Sequence, residues 1–179
     1  MKNILPYRGT LPTIDSSAFV APNAIISGNT VIGKNSSIWF SCVIRGDVER
    51  VRIGDNTNIQ DNSVIHVTRA HHIANKTGDE GAPTLIGSNV TVGHSAIIHA
   101  CIIEDNAFVG MGSIVMDMAR IEKYGMLAAG AVLTPGKVVK SGQLWAGNPA
   151  KYFRDLTEIE KQFIKVSADN YAELAREYK

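Results

Sequence analysis

The sequence predicts a parallel β-helix of hexapeptide repeats, an all-β fold with one C-terminal α-helix. An aliphatic residue recurs every six positions, a small residue stands four places after most of these anchors, and Gly and Asn fall in the intervals. The anchors run Val20, Ile26, Ile32, Ile38 and Ile44, slip by three residues, and continue at Ile53, Ile59 and Ile65. They resume at Ile86, Val92 and Ile98, shorten by one, and pass through Ile103, Val109, Val115, Ile121, Leu127, Leu133 and Val139 to Trp145. Ala24, Thr30, Ser36, Cys42, Thr57, Ser63, Ala96, Ala107, Ser113, Ala119 and Ala131 are the small side chains, which suit tight corners. Gly33-Lys34-Asn35, Gly54-Asp55-Asn56 and Gly87-Ser88-Asn89 supply the turns between anchors.

A period of six matches neither an α-helix nor a coiled coil, and the segment is rich in Val, Ile and Gly. Three hexads make one triangular coil of about 18 residues, each strand pairing with the strand one coil above at about 4.8 Å. Spacing leaves the handedness open, and the usual crossover preference favours a right-handed coil. The 179 residues are read as one domain. Residues 1–15, with Pro6 and Pro12, are expected to cap the first coil rather than form one, and residues 16–151 form the β-helix. A loop protrudes over about 69–84, where Asn75, Gly78, Asp79, Gly81 and Pro83 gather. The end, 157–178, is an amphipathic helix opened by a Thr157/Glu160 capping box, with Ile159, Phe163, Val166, Leu174 and Tyr178 as its apolar stripe. That helix is expected to lie on the flank of the β-helix.

Eighteen Lys and Arg balance 17 Asp and Glu, so the chain lacks the basic field that nucleic-acid binding needs, and small ligands are the expected partners. No apolar run reaches membrane-spanning length and residues 1–14 do not read as a signal peptide, so a cytoplasmic location without membrane contact is expected. In that compartment Cys42 and Cys101 are expected as reduced thiols.

The register places polar residues in space. With faces a, b and c counted from Ile53, Ile59 and Ile65, His66 and His99 occupy the same outward slot on face c, one coil apart. Arg45 falls in that column if the slip near Arg50 is a bulge. Two imidazoles so placed can converge on one zinc-type ion at about 2.0 to 2.1 Å per nitrogen. His94 lies around a corner on face b, poorly placed to join them within one chain. If face b of one subunit meets face c of the next, head-to-tail contacts close a three-fold ring with a metal at each interface. Gln60 and Asp61, one coil below Gly93 and His94, then enter the same cleft, near Asp47. A single histidine is ordinarily a solvated or satisfied residue. The shared column and a third histidine at a complementary place favour a ligand set, whereas His71 and His72 in the loop have no such partners.

The strings Arg45-Gly46-Asp47, Gln60-Asp61-Asn62, His66 and Gly93-His94 through His99 resemble the signature of γ-class carbonic anhydrases, and the likeness spans nearly the whole chain. Tyr7-Arg8-Gly9, Ile14-Asp15 and the closing Trp145-Ala146-Gly147-Asn148-Pro149-Ala150-Lys151 are similar to its bacterial, ferripyochelin-binding-like branch. The resemblance implies a left-handed β-helix homotrimer holding Zn2+, or Fe2+ or Co2+, through His66 and His99 of one subunit and His94 of the next. It implies further that Arg45 and Asp61 support the interface and site, with Asp47 beside them, and that Gln60 orients metal-bound water. Three neutral imidazoles with an open fourth position then give a metal-bound hydroxide at neutral pH, which attacks CO₂ to form bicarbonate. Val48 stands where the archaeal prototype has a glutamate, and Val67-Thr68-Arg69 lacks its acidic stretch, so slow turnover or another physiological substrate is expected.

Two other classes compete. The hexapeptide repeat and the Ala146-to-Lys151 ending also resemble coenzyme A-dependent acyltransferases, for which His71 or His72 would be the base, but the histidine trio then has no explanation. A related alternative has the same metal centre hydrolyse an acyl thioester, and a third makes the trimer a non-catalytic metal-binding subunit.

Overall fold

The computed structural model describes residues 3–70 and 80–179. They form a left-handed parallel β-helix of about 7 turns followed by one α-helix. Face c stacks Val43, Val64, Ile97, Ile114 and Val132 in register, with the anchors Ile44, Ile65, Ile98, Val115 and Leu133 beside them. On face a, Ile32, Ile53, Ile86, Ile103, Ile121 and Val139 pair in order, and Ile38, Ile59, Val92, Val109, Leu127 and Trp145 do so on face b. Ile26, Ile44, Ile65, Ile98, Val115 and Leu133 have no exposed area, so one ladder fills the core along its length. Each such side chain contributes about 1.5–3 kcal/mol by leaving water. The small +4 residues are buried too, because a corner leaves no room for more.

The corners explain the hand. Asn35, Asn56, Asn89 and Asn106 stack on one edge with φ of 54, 52, 57 and 55°, and Ser41, Asn62 and Ser95 on the next with φ of 60, 62 and 58°. Asn tolerates the left-handed region best among residues with a Cβ. The crossover preference arises from a twisted strand feeding a right-handed helix, and here each connection is a corner with no helix for it to act on.

The slip is a bulge. Gly28 pairs with Gly46 and Thr30 with Val51, so Asp47 to Arg50 stand opposite Asn29 alone. A Cβ on Gly46 would lie 2.7 Å from both Asn29 O and Thr30 Oγ1, which is why glycine separates Arg45 from Asp47.

Three expectations need correction. The N-terminal segment does more than cap, because Ile4–Leu5 and Thr13–Ile14 pair in parallel with Ile25–Ile32 and extend faces c and a downward. Beyond Ala150, Lys151–Asp155 returns antiparallel along Gln143–Ala146 and covers the upper edge of face b, a strand the repeat does not announce. The helix α1, Glu158–Glu177, opens with the expected capping box, but the expected stripe is not its buried face: Ile159 is 78% and Phe163 51% exposed, with Phe163 only resting on the rim at Phe108. The packed side is Ile164, Ser167, Ala168, Ala172 and Ala175, small residues that let the helix approach face b closely, while Tyr171 and Tyr178 meet the edges of Trp39. Thr68 and Ala82 form an antiparallel bridge, and the next strand begins at Thr84. His71, His72 and Asp79 lie outside the described residues. Cys42 and Cys101 are free and buried, and burial pushes the Cys42 thiol up to about 11, which makes it unreactive.

Candidate metal centre

His66 and His99 end the strands Val64–His66 and Ile97–His99, and their Cα atoms pair directly. The residue after an inward anchor points out, so both rings leave the core on the same side. His66 Nδ1 lies 3.2 Å from His99 Nε2. Two nitrogens bound to one tetrahedral ion at about 2.0 to 2.1 Å stand about 3.3 Å apart, so the spacing of this pair matches that of two ligands on one ion.

Each ring is held from behind by a carboxylate. Asp47 Oδ1, on the bulge, is 3.0 Å from His66 Nε2, and Asp117 Oδ1 is 2.7 Å from His99 Nδ1. A ring nitrogen that gives its proton to a carboxylate leaves the other with a lone pair, the form a cation binds. Arg45 Nη2 is also 3.0 Å from His66 Nε2. With the proton on Nε2 the ring donates to Asp47, and Arg45 pairs with Asp47 at 3.3 Å; with the proton on Nδ1 the ring donates to His99 and accepts from Arg45. The first is the ligand tautomer, and the second satisfies the pair when no cation is present.

The electrostatics favour neutral imidazole at His66. Burial lowers its pKa, and although Asp47 opposes this, Arg45 and His99 add to the lowering. Burial works to raise Asp47, but the hydrogen bond from His66 and the Val48 N–H outweigh it and the carboxyl lies below its usual range. Asp117 follows the same pattern, lowered against burial by Thr68 and His99.

His94 stands elsewhere, at the corner between faces b and c, with Nδ1 2.8 Å from Asp61 Oδ2. Among the described residues no three His, Cys, Asp or Glu side chains of one chain gather closely enough to hold a metal. Gln60 and Asp61 lie one coil below Gly93 and His94, as the register predicts. Gln60 is buried, its amide nitrogen on Asn58 Oδ1, in a ladder continuing through Thr91 to Ser167 of α1. Since α1 lies over face b at Ser37–Ile38, Asn58–Ile59 and Thr91–Val92, bare face b is not available to a neighbour; the b/c corner carrying His94 is.

Sequence reasoning missed Asp117 and Thr68. Column arithmetic puts Met116 above His99 and leaves Asp117 at the next corner, so following corner positions as well as anchors would have found it.

No family model matches the chain. A protein of Geobacillus kaustophilus named carbonic anhydrase is 41% identical over 176 residues, covering 98% of this chain and 91% of that protein. The mitochondrial gamma carbonic anhydrase 1 of Arabidopsis thaliana is 48% identical over 165 residues, which is 92% of this chain. The chain belongs to the γ-class carbonic anhydrase family. It spans 58% of the length of that plant relative. Among solved structures, a hexapeptide transferase family protein from Anaplasma phagocytophilum superposes with a TM-score of 0.90 at 52% identity, covering 98% of both chains. The strings that carry the family likeness thus map to the bulge, the b/c corner and the paired histidines.

Proposed function

We propose that the chain is a zinc-dependent carbonic anhydrase-type enzyme that interconverts CO₂ and bicarbonate as a homotrimer. Each metal is held by His66 and His99 of one protomer and the partner subunit's His94. The observation that carries this reading is the facing of His66 Nδ1 and His99 Nε2 at 3.2 Å, each ring backed by its own carboxylate. Family membership supports it, through relatives named carbonic anhydrase.

A trimer is supported by the outward column of face c. The register column there runs Ile25, Val43, Val64, Ile97, Ile114 and Val132, of which Ile25, Val64 and Ile97 are exposed and the others half-buried. A continuous apolar ladder beside a polar site marks a surface that another chain covers. His94, fixed by Asp61 with its Nε2 free to point outward, sits at the corner that such a partner would present.

Zinc bound to three imidazoles supplies a Lewis acid that brings the pKa of water near 7. The chain's own residues do the rest. Asp47, anchored by Arg45 and the Val48 N–H, holds His66 in its ligand tautomer. Asp61 does the same for His94, and the ladder from Ser167 fixes the carboxamide of Gln60 for orienting a small substrate or water. Val48, partly buried against the core, carries no titratable group at the position where the archaeal prototype has a glutamate, which supports slow proton export. Iron or cobalt fits the same nitrogens. Two buried free thiols suit a reducing compartment such as the cytoplasm, and no helix among the described residues is long and apolar enough to cross a membrane.

The transferase naming of the structural relative favours acyl transfer or thioester hydrolysis as the second reading. Acyl transfer leaves the three carboxylate-backed imidazoles without a task. The test is metal content of the purified chain with stopped-flow CO₂ hydration of its zinc, cobalt and anaerobic iron forms, beside release of free coenzyme A from acetyl-coenzyme A. Hydration that disappears in His99→Ala is expected. Tight zinc binding without hydration in any metal form would overturn the carbonic anhydrase reading.

A further inference from the structure

We infer that Asp117 is a positioning residue of the metal centre: it holds the His99 imidazole in the orientation and tautomer that a cation needs, and is itself held by Thr68. This rests on the metal-centre reading above. Asp117 Oδ1 accepts from His99 Nδ1 at 2.7 Å and its Oδ2 accepts the hydroxyl proton of Thr68. Both carboxylate oxygens are therefore committed. The proton held on Nδ1 leaves the lone pair on Nε2, the atom that faces His66.

The backbone around this chain of contacts is pinned, unlike that of an ordinary surface ion pair. Asp117 lies at the corner between Ile114–Val115 and Arg120–Ile121, and the next residue, Met118, has a φ of 62°. The Met118 N–H donates to Ala100 O, tying the corner to the residue after His99, and Gly136 N–H donates to Asp117 O from the coil above. Thr68 exchanges both backbone hydrogen bonds with Ala82, at 3.0 and 2.9 Å. The carboxylate, its hydroxyl donor and the imidazole thus sit on three separately fixed segments and meet at one point. Asp47 serves His66 and Asp61 serves His94 from within the motif strings, whereas Asp117 is 18 residues from His99 and outside them. Each of the three imidazoles then has a carboxylate of its own, from a different part of the chain.

Carboxylates behind ligating histidines contribute about 10–100-fold in metal affinity. The experiment measures the zinc dissociation constant of full-length trimers by competition with a chromogenic chelator, the visible spectrum of the cobalt form, and the melting of the metal-free chain. Asp117→Ala is expected to weaken zinc about 10–100-fold and to shift the cobalt bands. Asp117→Asn, which keeps an acceptor oxygen without the charge, should fall between, and Thr68→Val should show a smaller loss of the same sign. A residue that only stabilises the corner would lower the melting temperature and leave zinc affinity and cobalt spectrum of the folded chain unchanged, which overturns the inference. If Asp117→Ala does not fold, Thr68→Val decides, and wild-type affinity and spectrum there overturn it. A wild-type chain that takes up neither zinc nor cobalt sinks the metal-centre reading itself, whereas tight wild-type binding with an indifferent Asp117→Ala sinks this inference alone.

Discussion

Mixing two inactive variants tests where the third ligand comes from. Within one chain His66 and His99 face each other at 3.2 Å, while His94 is tied to Asp61 at another corner. In the proposed closed ring each site would take its pair from one protomer and His94 from the next. A His66→Ala protomer spoils its own pair but still offers His94, and a His94→Ala protomer does the reverse, so neither parent trimer has a complete site. Any trimer containing both variants has one contact in the productive order, or about one site in three; random equal mixing therefore restores about one site in four. Differently tagged variants are co-expressed, doubly purified and measured for zinc per chain by elemental analysis. About one third of wild-type zinc in the doubly purified trimers is expected. Mixed trimers with no more zinc than their folded parents, or His94→Ala alone with full zinc, would refute the shared site.

Ile97→Arg, on the outward face c column, is expected to convert the proposed trimer to monomers with a folded β-helix, read by sedimentation and circular dichroism. Leu127→Ala removes a fully buried rung of face b two coils above Val92, and should cost about 2–5 kcal/mol in urea unfolding while leaving zinc affinity of the folded chain unchanged. Gly46→Ala forces a Cβ to 2.7 Å from Asn29 O and Thr30 Oγ1, and an overpacking cost of about 1–3 kcal/mol is expected, with weaker zinc binding as Asp47 shifts. Glu160 accepts from Arg154 and from the Thr157 N–H, and these hold its carboxyl down from 4.5 to about 2. Its folded value being lower than its unfolded one, its contribution is complete above 4.5 and is lost as pH falls toward 2. The difference in melting temperature between wild type and Glu160→Gln should accordingly shrink over that window.

The six-residue period by itself determined the coil, its three faces and the pairing of His66 with His99, because an inward aliphatic anchor fixes the direction of every neighbouring side chain on a strand. It also put Arg45 one coil below His66, and Gln60 and Asp61 one coil below Gly93 and His94, while the Thr157 and Glu160 capping box was legible separately from the residue types that open a helix. Only the tertiary structure decided which side of α1 packs, because a helix over a flat face gains most where Ala and Ser let it approach, and the bulkier Ile159 and Phe163 are turned outward. The strands at Ile4–Leu5, Thr13–Ile14 and Lys151–Asp155 were hidden because an edge strand is chosen by the open hydrogen-bonding groups beside it, and not by its own pattern. Asp117 and Thr68 escape a count of strand anchors for a related reason: corners break the alternation that fixes side-chain direction, so the period puts Asp117 at the corner above His99 but only the folded coils show its carboxylate turned behind that ring and met by Thr68.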